Sequence, residues 1–155
     1  MVFEGFLKQF GWRDITFAIE IKQAGIEPKI ADMIRKYNIV HKTVVTSFKP
    51  ECIRAIKEYA PELRIDLLKN GITDETIEEL KDMGAEEVCP HSAEVTPEKA
   101  AKWHREGFNV RAWGLDNEGL MRKAYDSMAD GMTVNFPDKL VEYMKLQTGG
   151  LTRDF

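Results

Sequence analysis

The sequence predicts an α/β fold in which short strands alternate with helices. Six apolar or β-branched runs are each followed by a segment whose apolar residues recur at helical spacing. Proline, glycine or N-capping residues mark most of the junctions between the two kinds of segment. Regular strand–helix alternation is typical of a parallel sheet with right-handed crossovers. The chain is therefore either an open doubly wound sheet or part of a (β/α) barrel.

A short amphipathic helix is predicted before the first strand, because the apolar residues of 1–10 share one helical face. The strands are then predicted at 15–21, 43–48, 63–68, 86–90, 108–113 and 130–134. Each of these runs is short and apolar or β-branched, and most are bounded by turn residues, as strands of a parallel sheet are.

The helices that follow the strands begin and end at recognisable signals. Three prolines are placed where a first helical turn tolerates them, at Pro28, Pro50 and Pro97. Three side chains are predicted N-caps, namely Thr73, Thr96 and Asn117. The last helix is predicted over 138–146, so the domain comprises residues 1–146, and 147–155 is predicted to be a frayed tail.

Length and composition are those of one globular domain with a sizeable core, since the chain has 155 residues, of which 43% are hydrophobic and 31% charged. The net charge of -4 provides no basic surface for nucleic acid or an anionic membrane. No apolar run approaches the ~20 residues that cross a bilayer.

The cysteines and the N-terminus bear on the compartment. Cys52 and Cys89 are far apart in apolar contexts and are predicted to be core thiols, not a disulfide or a metal pair. The first residues lack a basic segment followed by an apolar one, so no secretory signal is expected after Met1. We expect a cytoplasmic protein, unless a signal precedes Met1.

A charged pair closes the first strand. In Phe17–Lys22 the apolar residues alternate with Ala18, Glu20 and Lys22, so the carboxylate and the ammonium share one face. Burying charge is costly unless it is paired or binds a metal. Two interpretations stay open from these residues: a metal ligand beside a phosphate-binding lysine in a barrel mouth, or a half-exposed strand with an intrastrand ion pair.

Both candidate folds place chemistry at the carboxyl ends of the strands. The polar and aromatic residues there are Glu20, Lys22, Ser47, Lys69, His91, Trp113, Asp116 and Asn135. No glycine-rich phosphate loop follows a strand, which weakens the nucleotide-binding open sheet. His91 either faces substrate or lies solvated in a loop, and the solvated position is favoured.

Four segments in order resemble the glycerophosphodiester phosphodiesterase family, whose fold is a metal-dependent (β/α) barrel. They are Ile-Glu-Ile-Lys at 19–22, Thr-Ser-Phe at 46–48, Val-Arg-Ala-Trp at 110–113 and Gly-Met-Thr-Val-Asn-Phe-Pro at 131–137. The resemblance covers residues 3–145 and implies an incomplete TIM-type (β/α) barrel of about six parallel units. Gly114–Asn117 departs from the family's usual Thr-Val-Asn, and Val134-Asn135 departs from Thr-Asp.

The resemblance also shows which family motifs this chain lacks. The family carries His-Arg-Gly on its first strand, Glu-x-Asp on its second and His-Asp on a following hairpin, and none of these occurs here. The two histidines are the family's acid/base pair, and Glu-x-Asp supplies two metal ligands. The chain is therefore similar to the last six of eight units, a truncated domain without catalytic residues of its own.

The resemblance implies specific roles for the site residues that this chain retains. By resemblance, Glu20 is the third carboxylate ligand of Mg²⁺ or Ca²⁺, Lys22 contacts phosphate and Trp113 lines the glycerol side. The family reaction, in phospholipid and glycerol metabolism, hydrolyses a glycerophosphodiester to glycerol 3-phosphate and an alcohol. One carboxylate holds such a cation poorly, so we expect weak metal binding and negligible turnover.

Two other interpretations remain: a non-catalytic binding or assembly remnant of the barrel, and an unrelated (β/α) enzyme that uses Glu20 and Lys22 differently. A barrel without two of its strands has two unpaired edges, near 15–21 and 131–134. Exposed edges invite pairing with another chain, so self-association is predicted.

Overall fold

The computed structural model describes residues 2–147 and contains the six predicted strands, each followed by a helix. The strands are β1 (Phe17–Glu20), β2 (Thr43–Ser47), β3 (Arg64–Lys69), β4 (Glu87–Pro90), β5 (Asn109–Leu115) and β6 (Gly131–Val134). The helices are α1 (Phe3–Phe10), α2 (Glu27–Lys36), α3 (Pro50–Tyr59), α4 (Asp74–Met83), α5 (Pro97–Arg105), α6 (Glu118–Asp126) and α7 (Pro137–Gln147). Short 3-10 turns, Val40–Lys42 and Ser92–Glu94, precede β2 and follow β4.

The strand order decides between the two predicted architectures. The order in the sheet is β1-β2-β3-β4-β5-β6, the order along the chain. A doubly wound open sheet reverses its strand order at a switch point, whereas a (β/α) barrel adds its parallel strands in sequence. Six strands without a reversal confirm the predicted incomplete TIM-type (β/α) barrel.

Contacts along the chain fall into two compact units. Unit 1 comprises Met1–Leu67 and Glu78–Glu86, and unit 2 comprises Leu68–Ile77 and Glu87–Phe155. In unit 1, β1 pairs with β2 from Phe17↔Thr43 to Glu20↔Thr46, and β2 pairs with β3 from Val44↔Arg64 to Ser47↔Leu67, both parallel. All five residues of β2 are buried, as expected for the inner strand of a parallel sheet.

β1 is only half covered. Phe17 is buried, and its ring meets Phe6 of α1 edge-on at 6.1 Å, so this side of the strand faces the helix. Ala18 and Glu20, on the opposite side, are exposed. β1 also ends the strand order, so its outer edge has no strand beside it within the described chain.

Unit 2 contains a bulge beside its strand ends. β4 pairs with β5 through Glu87↔Asn109 and Val88↔Val110. β5 pairs with β6 through Ala112↔Met132, and the register then shifts before Leu115↔Val134. Two residues of β5 therefore stand opposite one residue of β6, which is the definition of a β-bulge. The sequence prediction ended β5 at residue 113, and the structure continues the strand through the bulge to Leu115.

The predicted helix caps are present. The Thr96 hydroxyl accepts a hydrogen bond from the Lys99 backbone N–H at 3.3 Å, and the Asn117 side chain accepts one from Leu120 N–H at 3.0 Å. The Thr73 hydroxyl accepts from the Thr76 N–H at 3.3 Å. Each cap satisfies a first-turn N–H that has no partner within its helix, which is why these boundaries could be read from the sequence.

Cys52 and Cys89 are buried free thiols, as predicted. Among residues 2–147, no helix combines the length and apolar character needed to cross a bilayer. The predicted frayed tail lies outside the described residues except for residue 147, which ends α7.

A buried carboxylate opens α2. Glu27 is only 4% exposed, and its Oε2 accepts a hydrogen bond from the Gly25 backbone N–H at 2.7 Å. Burial alone would raise the pKa of Glu27. Hydrogen bonds outweigh burial and lower this pKa; the donors are the backbone N–H of Glu27 itself, the Cys52 thiol and the N–H groups of Gly25 and Ile26. Burial and the adjacent carboxylate raise the pKa of Cys52, so the thiol stays a neutral donor.

Stability should therefore depend on Glu27 in acid. Because the folded-state pKa of Glu27 is lowered from 4.5, its stabilising contribution is present above that value and is lost as pH falls through the folded pKa. We expect the free energy of unfolding to fall less steeply below pH 4.5 in Glu27→Gln than in the parent chain. Urea titrations at several pH values measure this, with the exposed Glu58→Gln as control; equal slopes for all three chains would contradict it.

Candidate functional site

The charged pair predicted at the end of β1 forms in unit 1. Lys22 Nζ lies 3.4 Å from Glu20 Oε2, and the side chains of Lys22 and Glu20 are 77% and 32% exposed. Both open interpretations predicted a shared face, and the ion pair joins the last residue of β1 to a residue just beyond the strand. An exposed pair of this kind stabilises a fold by only about 0–1 kcal/mol.

Glu20 heads a row of oxygen-bearing side chains across unit 1. The strand register aligns Glu20 with Thr46 of β2, and Thr46 with Asp66 of β3, so the three residues share one face of the sheet. Thr46 is 3% exposed, and its hydroxyl has no hydrogen-bond partner among the described residues. Glu20 is thus the solvent-accessible end of a row of hard oxygen donors, the donor type that Mg²⁺ and Ca²⁺ prefer.

Ser47, the next residue of β2, has a structural role. Its hydroxyl donates to the Ile21 backbone carbonyl at 2.6 Å and accepts from the Lys49 N–H at 3.1 Å. These bonds fix the backbone directly between Glu20 and Lys22, while the buried Ser47 offers nothing to a ligand.

Trp113 lies at the end of β5 in unit 2. Its indole N–H donates to the Cys89 backbone carbonyl at 3.1 Å, and the ring is half-buried. The His91 ring meets the indole edge-on, with centroids 4.8 Å apart. The indole N–H is therefore used within the fold, and any contact with a substrate would come from the ring.

His91 is half-buried, and its ring is held by specific contacts. Its Nδ1 accepts a hydrogen bond from the Ala93 N–H at 3.2 Å, which places the ring proton of neutral His91 on Nε2. Gly114, in the bulge with φ +69°, lies under the ring: a Cβ at this position would be 2.5 Å from His91 Nε2. The nearby Ser92 hydroxyl donates to the Gly114 carbonyl at 2.8 Å.

The remaining strand-end residues are less organised. Lys69 ends β3 half-buried, and Asp116 and Asn135 are exposed beyond β5 and β6. His41 is exposed before β2, and His104 of α5 pairs with Asp130 at 2.8 Å. Glu20 and Lys22 belong to unit 1, whereas His91 and Trp113 belong to unit 2.

Known proteins are similar to this chain over most of its length. The model of the Glycerophosphoryl diester phosphodiesterase family matches residues 8–139. A glycerophosphodiester phosphodiesterase of Caldanaerobacter subterraneus subsp. tengcongensis is 27% identical over 141 residues, which are 87% of this chain and 58% of that relative. The chain thus spans less than two thirds of the relative's length.

Solved structures show the same fold. A glycerophosphodiester phosphodiesterase from Agrobacterium tumefaciens superposes with a TM-score of 0.75 at 20% identity, covering 90% of this chain and 60% of that one. An Oleispira antarctica phosphodiesterase, solved with the product sn-glycerol-3-phosphate, gives 0.72 at 18% identity, covering 89% and 57%. The predicted resemblance is confirmed, the unrelated (β/α) enzyme is excluded, and the chain belongs to the glycerophosphoryl diester phosphodiesterase family.

Proposed function

We propose that this chain is the part of a metal-dependent glycerophosphodiester hydrolase that carries one metal ligand and part of the substrate pocket. The products would be glycerol 3-phosphate and an alcohol. The family match over residues 8–139 carries the proposal. The position of Glu20 at the carboxyl end of a parallel strand, where (β/α) barrels place their chemistry, supports it.

The donor set fits a hard divalent cation. Glu20 offers an accessible carboxylate, and the aligned Thr46 hydroxyl is a buried oxygen without a partner in the described chain. We propose that Glu20 ligates Mg²⁺ or Ca²⁺, which when bound would neutralise charge on the phosphoryl oxygens. One accessible carboxylate gives weak affinity, so the cation would be held tightly only when further ligands join Glu20.

Lys22 and Trp113 would contact the substrate. The Lys22 ammonium is 77% exposed and lies beside Glu20, so it can turn toward a phosphate oxygen bound near that carboxylate. The Trp113 ring, fixed through the Cys89 carbonyl, offers a rigid apolar surface for the glycerol carbons. We propose these two roles on that support.

The proposed reaction also needs a general acid and a general base, and we propose that residues 1–155 do not supply them. Phosphodiester hydrolysis needs a base for the nucleophile and an acid for the leaving alkoxide. His41 lies just before the amino end of β2, His104 pairs with Asp130, and the Nε2 edge of His91 lies against Gly114. None of the three is placed as the acid/base pair.

We therefore expect purified residues 1–155 to hydrolyse glycerophosphocholine no faster than buffer at millimolar Mg²⁺ or Ca²⁺. An enzyme-coupled assay for glycerol 3-phosphate measures this, with a full-length relative as positive control. Turnover that co-purifies with the chain and disappears in Glu20→Gln would show that the chain has its own acid and base.

A non-catalytic assembly role is the second candidate, and the half-covered β1 favours it. Free strand edges promote pairing, so we propose that the isolated chain self-associates, which light scattering across a concentration series measures. A concentration-independent monomer would contradict this. The cytoplasmic location suggested by the two free thiols stays a prediction.

A further inference from the structure

The 3-10 turn Ser92–Glu94 follows β4 at its carboxyl end, and its last residue reaches the loop between β3 and α4. Glu94 Oε1 accepts a hydrogen bond from the Gly71 backbone N–H at 2.7 Å, and Glu94 Oε2 accepts one from the Ile72 N–H at 3.2 Å. Hydrogen bonds to an ionised acceptor are stronger than bonds between neutral groups. The half-buried Glu94 carboxylate therefore ties the turn to the β3–α4 loop.

Two further hydrogen bonds hold the same turn. The buried Ser92 hydroxyl donates to the Gly114 carbonyl in the β5 bulge at 2.8 Å. Lys123 Nζ of α6 donates to the Ala93 carbonyl at 2.6 Å. Each residue of the turn thus bonds to a different element: Ser92 to β5, Ala93 to α6 and Glu94 to the β3–α4 loop. All of these residues belong to unit 2.

The anchored turn carries the ring that packs on Trp113. The Ala93 N–H donates to His91 Nδ1 at 3.2 Å, so the position of the imidazole follows that of the turn. The Glu94 N–H donates to the His91 carbonyl at 2.9 Å. His91 meets the Trp113 indole edge-on at 4.8 Å, while the indole N–H is bonded to the Cys89 carbonyl. Two contacts therefore fix the indole ring, and one of them depends on the turn.

We propose that Glu94 is a positioning residue: by anchoring the turn on the β3–α4 loop, it holds His91 against Trp113 and so sets the orientation of the indole ring. Glu94 itself would not touch the substrate. What the fixed ring does for a ligand rests on the proposed function, in which the ring faces the glycerol carbons. A ring that is ordered before the ligand arrives binds it with a smaller loss of conformational entropy.

Indole N–H signals in ¹H–¹⁵N spectra of residues 1–155 test the positioning without a ligand. The chain has three tryptophans, Trp12, Trp103 and Trp113, and Trp113→Phe identifies the signal of interest. In Glu94→Ala we expect the Trp113 signal to shift and its hydrogen exchange to accelerate about tenfold or more, because the bond to the Cys89 carbonyl opens more often. The exposed Trp12 and the buried Trp103 should exchange within about threefold of the parent chain.

Three more variants show whether Glu94 acts through the turn. Lys123→Ala releases the second anchor and should accelerate exchange of the Trp113 indole N–H, by less than Glu94→Ala does. Arg122→Ala breaks an exposed ion pair on the same helix and should leave this exchange unchanged. In a His91→Ala background, Glu94→Ala should add less than about twofold to the exchange rate, because the residue through which Glu94 acts is gone.

The proposal is overturned if the Trp113 signal of Glu94→Ala matches the parent in shift and exchange. It is also overturned if all three indole groups lose protection equally, because Glu94 would then only stabilise the domain. If Glu94→Ala does not fold, Lys123→Ala decides, since the Lys123 side chain is exposed and its loss leaves the β3–α4 loop intact. An unchanged Trp113 signal in Lys123→Ala would then overturn the proposal.

Titration with glycerol 3-phosphate and Mg²⁺ separates this proposal from the proposed function. We expect the ligand to shift the Trp113 signal of the parent chain, with an apparent dissociation constant about threefold or more higher in Glu94→Ala. A ligand that leaves the Trp113 signal unchanged, or that binds both chains equally, counts against the glycerol contact of the proposed function. The positioning of the ring stands or falls with the exchange measurements.

Discussion

Gly114→Val is expected to destabilise the protein by about 2–5 kcal/mol. Two costs add at this position. A β-branched residue is strained at the φ of +69° that the bulge requires, and its Cβ would stand 2.5 Å from His91 Nε2. The His91 ring cannot yield freely, because its Nδ1 is bonded to the Ala93 N–H and its edge packs on Trp113.

Chemical denaturation measures the destabilisation by Gly114→Val, and two control variants separate its backbone part from its steric part. Gly107 has φ +93° with open space around it, so Gly107→Val should show the backbone cost alone. His91→Ala in the Gly114→Val background should recover the steric part, giving a favourable coupling of about 1–3 kcal/mol. If Gly114→Val cost no more than Gly107→Val, the packing of His91 on Gly114 would be refuted.

Glu87→Ala is the second variant for which we expect a large effect. Arg111 Nε lies 2.9 Å from Glu87 Oε2, and the two side chains are 15% and 14% exposed. The pair joins the paired strands β4 and β5 near the register Glu87↔Asn109. Removing one partner leaves a largely desolvated charge, which costs about 3–5 kcal/mol in comparable pairs.

Denaturation of a variant series checks this interpretation. Arg122→Ala breaks the Arg122–Glu118 pair of similar length, 3.1 Å, whose side chains are 53% and 47% exposed, and should change stability little. The double variant Glu87→Leu/Arg111→Leu should be more stable than Glu87→Ala, because neither charge remains. Equal losses for Glu87→Ala and Arg122→Ala would contradict the assigned burial.

Local signals made much of the fold predictable from the sequence. The start of α3 follows from Pro50, and the start of α5 follows from the Thr96 cap and Pro97. The six strands stand out because buried parallel strands are short apolar runs between turn residues. Strand order depends on contacts between residues far apart in the sequence, so local patterns left two orders open, and only the family resemblance predicted the order that the structure has.

Features that depend on contacts between distant residues were missed. The bulge in β5 is invisible in Trp113-Gly114-Leu115, because a glycine after a strand equally predicts a turn. The packing of His91 on Gly114 joins positions 23 residues apart, and no spacing rule connects them.

Within the candidate site, the sequence predicted only the arrangement of residues that follow one another along β1. Period-two alternation placed Glu20 and Lys22 on one face, and their ion pair has the expected partners. The alignment of Glu20 with Thr46 and Asp66 required the register of three strands. The partners that the proposed function requires besides Glu20, further ligands and an acid/base pair, could not be placed from the sequence of β1 alone.

Binding of Mg²⁺ or Ca²⁺ to residues 1–155 tests the proposed role of Glu20 most directly. Titration calorimetry with millimolar cation compares the parent chain with Glu20→Gln and with the exposed Glu58→Gln as control. We predict weak, saturable binding to the parent and to Glu58→Gln, and binding weaker by about tenfold or more in Glu20→Gln. Equal binding by the parent and Glu20→Gln would contradict the assignment of Glu20 as a metal ligand.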